Sequence, residues 1–206
     1  MLAAYVRERL PVRLLLPASV GLGLVAVGLE TPATLSVAVV TAGLLVTQFR
    51  LWDDLADRHR DTIDHPERVL VNADSVTPVR IVCAGLAAAN VGWVFARDGF
   101  GAPLALLIAL NSGAALWYAR RGVRTTATDH LLLAKYPAIV ALVAGTRIAA
   151  NPARTLLAMV SAYLAACVYE AWHDRTSPAA GHRLLLASEA ILLVISLAAL
   201  SMGGWS

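Results

Sequence analysis

The sequence predicts an all-α fold, a polytopic transmembrane bundle of about seven helices, on three observations. Apolar residues fill 58% of the 206 positions and charged residues 15%, with mean hydropathy +0.66, whereas ordinary soluble domains run nearer about 45–50% and 25%. The apolar residues gather into runs of membrane-spanning length. The basic residues between the runs sort to one side.

A hydrocarbon core of about 30 Å needs roughly 17 to 25 apolar residues per helix. Lipid offers no partners to open backbone groups, so helices are the default, and the runs are too continuously apolar for barrel strands. The first run, 14–29, follows Arg7, Arg9 and Arg13 and resembles a secretory signal in outline. No A-x-A cleavage site follows, so it is read as a first span. The second run, 33–52, leads straight into the densest charge of the chain. The third, 79–96, begins after Pro78, and the fourth, 102–119, after a short turn around Arg97 to Gly101. The fifth, 131–149, sixth, 155–172, and seventh, 184–200, complete the set. No linker divides the chain, so 1–206 is read as one transmembrane domain with a polar segment at about 53–78, long enough for a helical extension and a short lid.

Orientation accounts for the net charge of +3 better than nucleic-acid binding does, and no nucleic-acid partner is expected. With the N-terminus cytoplasmic, Arg7, Arg9, Arg13, Arg50, Arg58, Arg60, Arg68, Arg80, Arg120, Arg121, Arg124, Lys135, Arg175 and Arg183 fall inside. Only Arg97, Arg147 and Arg154 fall outside, a strong positive-inside bias. His59, His65, His130, His173 and His182 share the inner side, so chemistry should face the cytoplasm. Cys83 and Cys167 lie within spans and read as reduced packing residues, without a metal role. Asn90 and Asn111 read as interhelical hydrogen-bonders. Glu189, placed near the midplane or outer half of the last span, receives no role.

The stretch "RLWDDLADRHRD" carries the chemistry. At 100° per residue Asp54, Asp57 and Asp61 share one helix face, with Asp53 just off it. Like charges so placed repel, so something cationic should occupy the face. Arg58 and Arg60 point elsewhere on the helix and Arg50 alone is aligned with the triad, which makes a divalent ion the better candidate. A second acidic pair, Glu170 and Asp174 in "CVYEAWHDRTSP", lies one turn apart at the end of the sixth run. Oxygen-only ligands favour magnesium, which binds through one or two carboxylates together with substrate phosphates. No Gly-rich phosphate loop is present.

At these residues the chain resembles the UbiA superfamily of intramembrane prenyltransferases. Asp53-Asp54-x-x-Asp57-x-x-x-Asp61 matches the family's (N/D)DxxDxxxD signature, and Glu170-x-x-x-Asp174 approximates its second, DxxxD-type signature. The resemblance implies that Mg2+ held by Asp53, Asp54, Asp57, Asp61, Glu170 and Asp174 bridges to an allylic prenyl diphosphate, with Asp54, Asp57 and Asp61 catalytic. It also implies that a basic residue after the first motif binds the diphosphate, which Arg68 in "HPERVL" matches most nearly, with Arg58 and Arg60 as further candidates. Lys135 and Tyr118 are candidate substrate contacts, with snorkelling and interface anchoring as their alternatives. The implied activity is magnesium-dependent transfer of the prenyl group to a hydrophobic acceptor within the membrane.

The chain departs from the family pattern in Asp53 standing for asparagine at the first position, in its glutamate at the second motif and in having about seven helices where members commonly have nine. An atypical acceptor, a homo-oligomer that completes the cavity wall, and lost catalysis stay open as consequences. Two other functions are carried: a terpene cyclase sharing the ionisation step, and a non-catalytic lipid-binding membrane protein that retains the fold. A CDP-alcohol phosphotransferase also uses spaced aspartates, but its DG and AR elements are absent. The plainest alternative is that these charges only mark a membrane interface.

Overall fold

The computed structural model describes residues 1–120, 125–174 and 181–202. Arg121, Arg124 and Arg175, counted above among the inward-facing bases, lie outside the described residues. Those described form an all-helical bundle without strands: α1 (Leu2–Arg9), α2 (Val12–Val27), α3 (Pro32–Asp64), α4 (Thr77–Asp98), α5 (Ala102–Arg120), α6 (Thr126–Leu133), α7 (Lys135–Ala144), a 3-10 turn (Gly145–Ala149), α8 (Pro152–His173) and α9 (Arg183–Met202). Six segments are long and apolar enough to cross a membrane, and α1 with α2, bent by 58°, makes a seventh if taken as one span. This is the build of a multi-pass membrane protein.

Local chemistry sets the helix ends. Thr31 accepts the Thr34 N–H ahead of Pro32, and Asn151 accepts the Arg154 N–H ahead of Pro152. Each is an N-cap followed by a proline whose missing N–H costs nothing in the first turn. Helix α3 is 33 residues long, about 50 Å at 1.5 Å per residue. Some 20 residues from Pro32 cover the roughly 30 Å of hydrocarbon, so Asp53 onward projects beyond it as a rigid continuation of the same helix.

The fifth expected run is present as one membrane-length segment, Thr126–Ala149, with a local interruption inside it. Ala134 separates α6 from α7, and the cause is Pro137: its ring crowds the carbonyl one turn back and it has no N–H to offer it. The break sets Lys135 and Tyr136 at the start of a new helix.

The main core lies where α2, α3, α7 and α8 meet, around Ala38, Ala42, Leu45, Ile139, Leu142 and Ala158. Small residues let the backbones close: a Cβ on Gly23 would meet Val39 Cγ2 at 3.1 Å and the Val39 nitrogen at 3.3 Å. The buried stripe of α3 runs through Ala38, Thr41, Ala42, Leu45, Gln48 and Phe49, whereas Leu51, Asp54 and Asp61 are buried on the other side of the helix, against α1 and the loop after α3. Gln48 joins the buried polar layer by donating to Asn111 Oδ1 at 2.5 Å and accepting from Asn90 Nδ2 at 2.8 Å, the interhelical role expected of both asparagines. A smaller cluster of Tyr5, Leu51, Leu70, Val76, Val79 and Cys83 packs α1 and the 65–76 loop against the ends of α3 and α4.

At the opposite end, Arg97 ties α4 to α7. Its Nη2 donates to the Leu142 carbonyl at 2.5 Å and pairs with Asp98 at 2.5 Å, so the last turn of α7 gains a partner for one of its open carbonyls. Helix α7 stops at Gly145, where φ is +59° and a Cβ would meet Arg97 Nη2 at 2.9 Å and Asp98 Oδ1 at 3.0 Å. Gly145→Ala should therefore cost about 1–3 kcal/mol, read as lowered unfolding midpoint in detergent. Gly85→Ala, with open space around it, should be neutral or gain up to about 1 kcal/mol in a helix interior. Equal behaviour of the two variants would show that the Arg97 junction does not constrain the turn.

Candidate functional site

The acidic end of α3 is built into a network of bases drawn from other elements. Asp54 is 5% exposed. Arg9 of α1 grips it with two prongs, Nε to Oδ2 at 3.0 Å and Nη2 to Oδ1 at 2.6 Å, and the Tyr5 hydroxyl donates to Oδ2 at 2.8 Å. Arg50 stands one turn back at 3.8 Å, as its alignment with the triad predicts. Tyr5 and Arg9, four residues apart, put hydroxyl and guanidinium on one face of α1, which lies outside the apolar segment of α2. Burial and the negative charge of Asp54 raise the Tyr5 phenol above its ordinary value, so it remains a donor at neutral pH.

Asp61 is 4% exposed and pairs with Arg68 of the following loop at 2.6 Å. Asp57 meets Arg60 at 3.1 Å, and Arg60 also reaches Asp64 at 3.6 Å. Asp53, just off the triad's face, turns toward the bundle and accepts from the Tyr118 hydroxyl of α5 and from Lys135 Nζ of α7. Trp52 and Phe49 stack beside it with ring centroids 6.3 Å apart, and Tyr118 packs on Trp52 at 5.7 Å. These rings join the Asp53 side of α3 to the main core, of which Phe49 is a member.

These contacts correct the reading of a bare acidic face. Arg60 does turn to Asp57, because spacings of three bring neighbours on a helix together. Cations from α1, the loop and α7 supply the rest, and sequence spacing alone cannot show partners 45 or 82 positions away. Arg58 is spent elsewhere: its Nε donates to the Leu70 carbonyl at 3.0 Å and its Nη2 to Ala73 at 3.0 Å. It clasps the loop that carries Arg68. Glu8 holds the same loop from α1 by accepting the Val69 N–H at 2.9 Å. Lys135 and Tyr118, the candidate substrate contacts, both meet Asp53.

The second acidic pair sits at the same end of the bundle. Glu170 lies in the last turn of α8 and Asp174 caps that helix. Tyr5 and Arg9 are the site residues that sequence reasoning missed. Their spacing of four, ahead of the break at Pro11, was the available signal.

Glu189 lies six residues into α9 from Arg183, about 9 Å along the helix. There it is buried against His130 of α6, with Nε2 to Oε1 at 2.8 Å.

Comparison with known protein families, with curated proteins and with solved structures finds no match to this chain.

A double-mutant cycle tests whether Arg9 and Asp54 act as one unit. In metal-free detergent solution, Arg9→Met should cost about 3–5 kcal/mol because it strands a buried carboxylate. Adding Asp54→Asn should recover at least about 1 kcal/mol of that. Additive single effects below about 0.5 kcal/mol each would mean the pair is not coupled.

Proposed function

We propose that the chain is a magnesium-dependent prenyltransferase of the UbiA type, acting on an allylic prenyl diphosphate and a hydrophobic acceptor in the membrane, with its site toward the cytoplasm. The observation that carries this reading is the mixed charge of the site. Four aspartates within nine residues of α3 are interleaved with Arg9, Arg50, Arg60, Arg68 and Lys135. A purely structural network needs only cancellation of charge, whereas a cation together with a polyphosphate needs both signs side by side.

The donor set is all oxygen, which suits Mg2+. Asp53, Asp54, Asp57 and Asp61, with Glu170 and Asp174 across the bundle end, are the residues that would hold it. Magnesium, when bound, supplies charge neutralisation for the departing diphosphate. The protein's own groups do the rest. Arg68 and Lys135 exchange their carboxylate partners for phosphate oxygens, and Arg60 does the same more openly at the surface. Tyr118 donates to whichever oxygen takes the place of the Asp53 carboxylate.

The allylic carbon–oxygen bond then breaks and its electron pair leaves with the diphosphate. The acceptor's nucleophile closes the new bond and gives up a proton. Phe49, Trp52 and Tyr118 keep water from the allylic cation, and their ring faces favour positive charge. The positive-inside bias of the loops supports the cytoplasmic orientation.

One observation favours a second reading. Asp54 is sealed by Arg9 and Tyr5, which is the state expected of a non-catalytic lipid-binding protein that keeps the fold. Product analysis with a labelled prenyl diphosphate separates the two. The enzyme should yield coupled product only with Mg2+, and excess chelator should abolish it. Asp57→Asn should lower turnover by at least about 100-fold with folded protein still recoverable from membranes. A cyclic hydrocarbon would identify the terpene cyclase. Intact substrate under every condition, with acceptors of several classes offered, would leave the non-catalytic reading.

A further inference from the structure

We infer that His130, Cys167 and Glu189 form a binding site for a zinc-class divalent metal, joining α6, α8 and α9 apart from the aspartate cluster. One ligand atom from each residue lies within 4.8 Å of the other two. Cys167 is 2% exposed and Glu189 6%. Imidazole, thiolate and carboxylate together are a donor set for zinc, and unlike the aspartates they suit magnesium poorly.

Hydrogen bonding around His130 points the same way. Nδ1 stands 2.9 Å from the Thr126 carbonyl of its own helix, an acceptor, so the ring proton belongs on Nδ1. That leaves the Nε2 lone pair facing Glu189 Oε1 at 2.8 Å, and two acceptors at that distance need a cation or a proton between them. A histidine whose far nitrogen is fixed by a backbone carbonyl is oriented as metal ligands commonly are. Tetrahedral metal–ligand bonds of about 2.0–2.3 Å put ligand atoms roughly 3.3–3.8 Å apart, so binding draws the thiol inward and opens the His130–Glu189 pair from 2.8 Å.

Charge balance favours the ion at this depth. A thiolate and a carboxylate cancel a divalent charge, so the loaded site is neutral where an uncompensated carboxylate is costly. On binding, the Cys167 thiol releases its proton to solvent and a sulfur–metal bond forms. Tyr163, one turn before Cys167 on α8, places its hydroxyl at the thiol and its ring edge-on to His130 at 6.3 Å. His130 and Tyr163 also line a groove of about 520 Å³ between α6, α7 and α8, the side from which water or another small ligand would reach a fourth position. The site does not depend on the prenyltransferase reading.

The test is a Co2+ titration of the full-length protein in detergent with excess Mg2+ present, followed by Zn2+ displacement. One equivalent should bind and produce an intense near-ultraviolet thiolate-to-cobalt band, which Zn2+ removes. Cys167→Ser should abolish the band, while Cys83→Ser, in the separate cluster at the α3–α4 end, should leave it intact. His130→Gln and Glu189→Gln should each weaken binding by more than about tenfold. Absence of a thiolate band in folded wild-type protein would overturn the proposal without any variant being needed. So would a band that survives Cys167→Ser, or a Co2+ affinity unchanged in both His130→Gln and Glu189→Gln.

Discussion

Four carboxylates on one stretch of α3, at the edge of a bilayer, must each be met by positive charge or a hydrogen-bond donor, and much of the architecture at that end answers this need. The short helix α1 exists against the bundle because Tyr5 and Arg9 reach Asp54. The loop after α3 folds back because Arg58 holds its carbonyls and Arg68 meets Asp61. The break at Ala134 begins a helix with Lys135 where it can meet Asp53. Remove the aspartates and these elements lose their common target.

The two ends of the bundle solve opposite problems. At the Gly145 end, Arg97 is fastened to backbone carbonyls and to its neighbour Asp98, and a backbone partner cannot be exchanged for a ligand. Between the ends lie close-packed small residues and the Gln48–Asn90–Asn111 layer. At the Asp53 end, most of the bases are bound to other side chains, which can rotate away when a better partner arrives. Rigid geometry at one end and exchangeable partners at the other are what the proposed prenyltransferase would need for a substrate with a charged head and an apolar tail. Preorganisation comes from the fixed helix, and adaptability comes from the long arginine and lysine side chains.

The His130–Cys167–Glu189 group adds a second, chemically different polar centre on the α6–α8–α9 side. Hard oxygen donors and a mixed nitrogen, sulfur and oxygen set would sort two metals by ligand type alone. Helix α6 brings His130 to one centre and α7 brings Lys135 to the other, with the interruption at Ala134 between them.

The sequence by itself determined the all-helical, multi-pass build, the approximate spans, and the face shared by Asp54, Asp57 and Asp61. Apolar run length and helical spacing are local properties that any α-helix must obey. It also marked Arg50 as aligned with the triad, and Asn90 and Asn111 as interhelical bonders. The tertiary structure alone decided which cations meet the aspartates, that Arg58 serves the loop, and that Glu189 lies beside His130 near Cys167. Those outcomes depend on which helices become neighbours and on the interruption between α6 and α7. Pairings across 45 to 82 residues arise from packing in three dimensions, and no periodicity within one segment encodes them.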